Sequence, residues 1–168
     1  MLSKSLEQAI NTQINKELFS EYIYFSMAAY LASIGLEGME NFFIVQAQEE
    51  HFHAMKMYHF INERGGRVKL EQIDKPQFDF ESPIEIFEIA LNHEKFISKS
   101  IGELMDLAIK ENDHATKSFL NWYVDEQVEE EDSMDTILNK LNLINGQGQG
   151  LLSLDKELGA RTFIPEEE

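Results

Sequence analysis

The sequence contains no cysteine and, among its 168 residues, only three prolines and nine glycines. The absence of cysteine excludes disulfide bonds, thiolate metal ligands and a cysteine nucleophile, and it favours a reducing cytoplasm over secretion. No apolar run approaches the roughly 20 residues that a membrane-spanning helix needs, and the N-terminus turns polar too soon for a signal peptide. We therefore expect a cytoplasmic protein that does not enter membranes.

Basic residues are also scarce, with 14 lysines and arginines against 31 acidic residues and a formal net charge of −17. This charge repels nucleic acid and anionic membranes, and it favours cationic ligands. An acidic composition also serves solubility alone. The positions of the acids must therefore decide between these interpretations.

The few glycines and prolines separate four long segments in which apolar residues recur at roughly 3.6-residue spacing. These segments predict helices α1 to α4 at about 4–34, 38–65, 83–110 and 113–144. A chain of this length fits one domain, here residues 1–168. The predicted fold class is all-α, a four-helix bundle.

The connections between the predicted helices differ in length. The first and third are about three residues long and predict antiparallel hairpins. Residues 66–81 extend to about 50 Å, whereas a helix of this length spans about 42 Å. We therefore favour a bundle with one long crossover, although an up-down-up-down arrangement remains open.

A glycine-rich joint at 145–150 precedes a short fifth helix, predicted at about 150–160. Its apolar stripe consists of Leu151, Leu154 and Leu158. So short a helix is unstable alone and must dock on other structure. The flexible joint favours docking on neighbouring subunits over docking on its own bundle.

Each predicted long helix carries one acid on its inward apolar stripe. In α1 the seven-residue steps give Ile10, Glu17, Tyr24 and Leu31, reinforced by Ile14 and Phe25. The equivalent acids of the other three helices are Glu50, Glu94 and Glu130.

All four acids lie within about four residues of their helix midpoints and should meet at one level. Four buried carboxylates would cost too much unless they were protonated or neutralised, and their charge matches two divalent ions. His53 is spaced three residues after Glu50, so the two share a helical face. Taken singly, His53 fits a core histidine whose hydrogen bonds are satisfied, and Glu17 fits an acid paired with a lysine on a neighbouring helix. The common depth of the four acids favours a dinuclear metal centre instead.

Other polar and aromatic residues have two interpretations each. Tyr24 has two functional interpretations, a hydrogen bond to a metal ligand or the supply of an electron to oxygen chemistry, beside the plain one of a core aromatic. Trp122 is assigned to packing. The Glu-x-x-His spacing at 111–114 falls in a turn, where capping is the better interpretation. The acidic run 125–132 reads as a solvated face or, together with Glu49, as a third cation site.

Taken together, these residues resemble the ferroxidase centre of the bacterial and archaeal non-haem ferritins. The resemblance rests on Glu17, Tyr24, the Glu50-x-x-His53 pair, Glu94 and the Gln127-x-x-Glu130 pair, and it extends over nearly the whole chain. It implies one iron site at Glu17, Glu50 and His53, and a second at Glu50, Glu94 and Glu130 beside Gln127, with Glu50 bridging. It also implies a third site formed by Glu49, Glu126, Glu129 and Glu130.

The resemblance further implies that the protein stores iron. Two Fe(II) ions per subunit would be oxidised by O2 or H2O2 and deposited as ferric mineral inside a hollow cage of 24 subunits. Haem is not expected, because Gln127 and His51 stand where haem-containing relatives carry a different pattern.

Two other functions remain open on the sequence. A di-iron oxygenase or peroxidase would need a pocket for its substrate. A non-catalytic helical interaction protein would present an apolar seam instead of four acids at one depth. Only the storage function requires a large hollow particle.

Overall fold

The structure, a computed structural model, describes residues 1–165, in which all regular secondary structure is helical. The prediction of an all-α fold is confirmed, and the predicted helix ends are within two residues of those observed. None of the helices in the described residues is long and apolar enough to cross a membrane. The five helices are α1 (Lys4–Ser33), α2 (Glu37–Glu63), α3 (Pro83–Lys110), α4 (His114–Leu143) and α5 (Gly148–Leu158).

Short polar side chains cap the starts of α1, α3 and α4, whereas α2 begins without a side-chain cap. The Ser82 hydroxyl accepts a hydrogen bond from the Glu85 N–H at 3.2 Å, immediately before Pro83 in the first turn of α3. Asp113 caps α4 by accepting from the Thr116 N–H at 2.9 Å. The capping interpretation of the 111–114 segment is therefore confirmed.

Residue pairs between helices define the topology. The helices α1 and α3 run in opposite directions. Lys16 donates to Ser100, whereas Ser20, which is later in α1, contacts His93, which is earlier in α3. The short turns make α1 antiparallel to α2, and α3 antiparallel to α4. Because α1 is antiparallel to both α2 and α3, those two helices are parallel, and the segment joining them must travel the length of the bundle. The predicted crossover is confirmed.

Residues 64–82 form this crossover and follow α1 from one end towards the other. The Asn11 side chain accepts from the Lys69 N–H at 2.7 Å and donates to the Arg67 carbonyl at 3.0 Å. Further along α1, the Ser26 hydroxyl donates to the Gln77 carbonyl at 2.6 Å. These side-chain bonds satisfy backbone groups of a segment that has no regular structure of its own.

The fifth helix docks on its own bundle, against α2, which is the less favoured of the two alternatives left open by the sequence. Leu154 and Leu158 are buried in the apolar core, and the Asp155 carboxylate accepts from the Met39 N–H at 2.8 Å. The close approach depends on Gly38, where a Cβ atom would lie 1.7 Å from the Asp155 carbonyl oxygen. The leucine stripe of α5 therefore finds apolar surface within its own chain.

One outward-facing aromatic corrects the predicted stripe of α1. Phe25 is 41% exposed, whereas Ala28 is buried. The buried stripe keeps a seven-residue repeat, which places Ala28 in line with Ile14 two repeats later. Phe25 follows Ile14 by eleven residues and therefore belongs to a different repeat, which in this bundle faces outward.

The apolar interior consists of two clusters separated by a polar layer. One cluster comprises residues from the 23–47, 80–91 and 134–158 parts of the chain, and the other comprises residues from 2–14, 54–61, 97–108 and 120–123. The four predicted acids occupy the gap between the clusters along each helix. The sequence therefore builds one polar layer, close to the middle of the bundle.

Candidate metal centre

The polar layer contains one buried glutamate from each long helix. Glu17, Glu50, Glu94 and Glu130 are all at most 4% exposed, and His53 is also buried. Each lies on the inward stripe of its helix, so helical periodicity alone directs its side chain into the core. The structure therefore places all five predicted ligands in the layer.

Two sets of these side chains are close enough to share a cation. Glu17, Glu50 and His53 present ligand atoms within 4.8 Å of one another, as do His53, Glu126 and Glu130. The first set is the one predicted for the first iron site. Glu94 belongs to neither set, although its side chain lies in the same layer.

Hydrogen-bond acceptors are left without partners at the centre of the layer. Both carboxylate oxygens of Glu50 and Oε2 of Glu17 accept no hydrogen bond from the described residues. Burying such groups without a partner costs free energy, and an ionised carboxylate costs the most. Two oxygens of one glutamate that both face the layer fit a carboxylate that bridges two cations, so the donor set suits hard divalent metal ions.

The remaining oxygens of two ligands are held by glutamine side chains that sequence reasoning missed. Gln13 donates from Nε2 to Oε1 of Glu17 at 2.9 Å, and Gln46 donates from Nε2 to Oε2 of Glu130 at 2.7 Å. Each amide fixes one oxygen of its carboxylate. The Gln13 contact had a signal in the sequence, a glutamine one helical turn before an inward-facing glutamate, whereas the Gln46 contact joins two helices and had none.

The Glu94 carboxylate is held on both sides by residues predicted to stand near the centre. The Tyr24 hydroxyl donates to Oε1, and Gln127 donates from Nε2 to Oε2 at 3.0 Å. Gln127 also donates to the Glu94 carbonyl at 3.3 Å. Tyr24 therefore contacts a predicted ligand directly, which favours the hydrogen-bonding role among its two interpretations.

The layer shifts the pKa of its titratable groups. Burial raises the pKa of Glu17 to about 7, and burial with the charge of Glu130 raises the pKa of Glu94 to about 8. Burial and the charges of Glu94 and Glu17 hold the pKa of Glu50 well above its usual range. Burial lowers the pKa of His53 to about 3, so its imidazole stays neutral, which is the form that binds metals.

The residues predicted to form a third site lie on the edge of the layer. Glu49 and Glu126 are half-buried and Glu129 is exposed. The Glu49 carboxylate is 2.6 Å from Nη2 of Arg161, a residue beyond α5 whose role the sequence did not indicate. Trp122 packs its ring edgewise against His53, with 5.3 Å between ring centroids, in agreement with its assignment to packing.

A bundle in which four long helices each supply one buried glutamate, one of them in a Glu-x-x-His pair, has the architecture of the ferritin-like carboxylate proteins. The sequence model of the family described as "Ferritin-like domain" matches residues 7–144. This chain belongs to that family, as the sequence resemblance indicated.

Named relatives and solved structures agree with this assignment. The bacterial non-heme ferritin of Staphylococcus aureus (strain USA300) is 44% identical over 166 residues, which cover 99% of this chain and 100% of the relative. That of Staphylococcus haemolyticus (strain JCSC1435) is 43% identical over the same length. A crystal structure of the open pore ferritin from the archaeon Archaeoglobus fulgidus superposes with a TM-score of 0.95 at 49% identity, covering 96% of this chain and 100% of that one.

Proposed function

We propose that this protein is an iron-storage ferritin with ferroxidase activity. The observation that carries the proposal is the pair of unpartnered Glu50 oxygens in a buried layer of carboxylates. A buried carboxylate with no donor for either oxygen is poorly suited to a purely structural role and well suited to bridging two cations. The non-heme ferritin relatives and archaeal ferritin structures support iron as the metal.

In this proposal the first Fe(II) binds to Glu17, Glu50 and His53, whose ligand atoms already lie together. The second binds to Glu50, Glu94 and Glu130 beside Gln127. Glu94 keeps its orientation through the Tyr24 hydroxyl and the Gln127 amide. Each site is therefore built from side chains of different helices, and Glu50 is shared.

Two adjacent Fe(II) ions lose one electron each, which is the pair that reduces O2 to H2O2, or H2O2 to water, with uptake of two protons. Supplying both electrons together avoids release of superoxide. Carboxylate ligands suit both ferrous substrate and the harder ferric product. The ferric product then leaves for a mineral deposit past the third cluster of Glu49, Glu126, Glu129 and Glu130.

We further propose that the whole chain, as one domain, assembles with 23 copies of itself into a hollow cage in the cytoplasm. The net charge of −17 per chain gives about −400 for such a particle. Charge of that size concentrates Fe(II) around acidic openings and at the inner surface. An iron store of this kind gives the acidic composition a use beyond solubility.

Rapid mixing of Fe(II) with oxygenated buffer tests the proposal. We expect a fast phase of oxidation that saturates near two irons per chain and that slows at least about a hundredfold in Glu50→Ala, because both iron sites lose a ligand. Glu111→Ala is the matched control, since Glu111 also starts a Glu-x-x-His sequence but ends α3 far from the layer.

Equal fast phases in the parent and in Glu50→Ala would contradict the bridged centre. The storage part of the proposal is checked separately by particle mass, from light scattering on the assembled protein. A monomer or small oligomer would exclude the cage and favour a soluble di-iron enzyme.

A further inference from the structure

The chain beyond α5 returns along α2 towards the metal centre. The Asn41 amide donates to the Arg161 carbonyl at 2.9 Å and to the Gly159 carbonyl at 3.5 Å, which holds this segment against the helix. Phe163 places its ring at the edge of Phe52, with 6.5 Å between centroids. The segment is therefore tied to α2 on both sides of Arg161.

The Arg161 guanidinium is fixed in three ways. Its Nη2 lies 2.6 Å from Oε2 of Glu49, and its Nη1 donates to Oε1 of Gln46. Its planar face covers the Phe42 ring at 4.6 Å from the centroid. A guanidinium that is both forked onto two acceptors and stacked on a ring has a defined position.

Through Gln46 the same guanidinium reaches a second acid. The Gln46 amide accepts from Arg161 with its oxygen and donates with its nitrogen to Oε2 of Glu130 at 2.7 Å. Arg161 is therefore bonded directly to Glu49 and, through one side chain, to Glu130. These are two of the four carboxylates of the proposed third site.

This arrangement differs from that of the first iron site. Glu50 and Glu17 offer oxygens that no described residue has engaged. Oε2 of Glu49 is already engaged by a positive charge. A metal ion at the first site meets carboxylates that pair with no lysine or arginine of the described residues, whereas an ion at Glu49 must compete with the Arg161 guanidinium for that carboxylate.

We propose that Arg161 is the resident cation of the third site and that it must leave Glu49 before a metal ion binds there. The inference rests on the proposed function, since it assigns an order of filling to the same group of sites. The dinuclear centre fills first, and the third site fills only when its ion displaces the guanidinium. Arg161 is a positioning residue in this account and touches no iron.

The direction of the expected change separates this role from a structural one. Removing a competing positive charge strengthens metal binding at Glu49, whereas loosening a structural support weakens it. An ion pair that is partly exposed to solvent is worth up to about fivefold in an equilibrium constant. We therefore expect third-site affinity to rise about two- to fivefold when the guanidinium is removed.

Anaerobic titration of the metal-free, assembled protein with Co2+ tests the proposal. Bound Co2+ per chain is counted after equilibrium dialysis, and the visible absorption reports the coordination of each ion. In Arg161→Gln we expect the third equivalent to bind about two- to fivefold more tightly and the first equivalent, at Glu17, Glu50 and His53, to bind as in the parent. Adding Glu49→Gln in the same chain should abolish the gain.

Two further variants control for effects on folding. Asn41→Ala releases the segment but keeps the guanidinium, so it should give a smaller gain of the same sign. Lys140→Gln removes another cation, which pairs with Glu157 on α5 at 2.7 Å, and should leave all three equivalents unchanged.

A third equivalent that is unchanged or weaker in Arg161→Gln would overturn the resident-cation proposal while leaving the dinuclear centre intact. Failure of the parent protein to bind the first two Co2+ ions would contradict the proposed function, and the inference would fall with it.

Discussion

The two apolar clusters and the polar layer between them are made by the same four helices, but they satisfy their side chains in opposite ways. In the clusters side chains find apolar neighbours, and rings such as those of Phe42 and Phe43 pack edge to face. In the layer, neither oxygen of Glu50 makes a hydrogen bond with the described residues, and the nearest ring nitrogen, Nδ1 of His53, lies 3.4 Å from Oε2. The comparison shows that a cation site requires groups left unsatisfied by the fold, and that the flanking clusters must supply the stability that the layer lacks.

The largest effect on stability should come from substitutions in the apolar clusters. Leu141 is 0% exposed within one cluster, whereas Leu143, two residues later on α4, is 85% exposed. Leu141→Ala should lower the free energy of unfolding by about 2 to 5 kcal/mol through lost burial and a cavity. Leu143→Ala should change it by less than about 0.5 kcal/mol.

Chemical denaturation of both leucine variants, followed by circular dichroism, measures the difference. Equal losses in the two variants would mean that the cluster around Leu141 contributes no more than the surface does.

A smaller effect should come from titration of the layer in metal-free protein. The pKa values of Glu17 and Glu94, about 7 and about 8, lie above the usual 4.5. Groups with raised pKa values favour folding while protonated, so stability is greatest below pH 4.5 and falls as the pH rises from there to about 8, where both groups have lost their protons. We expect a loss of several kcal/mol between about pH 4.5 and about pH 8.

Thermal unfolding in the presence of a chelator, from about pH 5 to about pH 9, tests this pH dependence. Glu17→Gln with Glu94→Gln should flatten the profile because neither amide titrates. A redox-inert divalent ion should also flatten it in the parent protein, since metal then neutralises the carboxylates. A profile that rises with pH in the metal-free parent would contradict the described burial of these acids.

The smallest effect should follow loss of a single hydroxyl at the border between cluster and layer. Tyr24→Phe keeps the ring in the apolar cluster but removes the donor to Glu94. We expect the initial rate of Fe(II) oxidation to fall about two- to tenfold, the cost of one hydrogen bond. Tyr30→Phe, whose ring packs on Phe80, should oxidise iron at the parent rate.

A Tyr24→Phe variant that loses all fast oxidation would indicate more than a hydrogen-bonding role. In that case the second interpretation of Tyr24, as an electron donor, would be preferred.

Helical periodicity was enough to predict the elements that carry the ligands. Glu17, Glu50, Glu94 and Glu130 interrupt apolar stripes, and the common depth of these acids follows from counting residues. The length of the crossover likewise predicted that α2 and α3 are parallel. These features depend on spacing within one helix or on the reach of one segment, both of which a sequence contains.

Features that depend on contact between distant segments were missed. Nothing in the spacing of Arg161 indicates that it meets Glu49, because the path of the chain after α5 is set by how α5 docks. The same reason explains why the sequence did not favour the docking of α5 on its own bundle. Phe25 was misplaced for a different reason. It follows Ile14 by eleven residues and Ala28 follows Ile14 by fourteen, and within a single helix both spacings return to nearly the same face.

The metal centre depends on Gly38, a residue without a side chain, because α5 approaches α2 closely at this position. A methyl group at residue 38 would overlap the Asp155 carbonyl and push α5 away from α2. Arg161 follows α5 by only three residues, so it would be displaced too. Gly38→Ala would therefore have the same kind of effect as Arg161→Gln. It would alter metal uptake although every acid of the centre is unchanged.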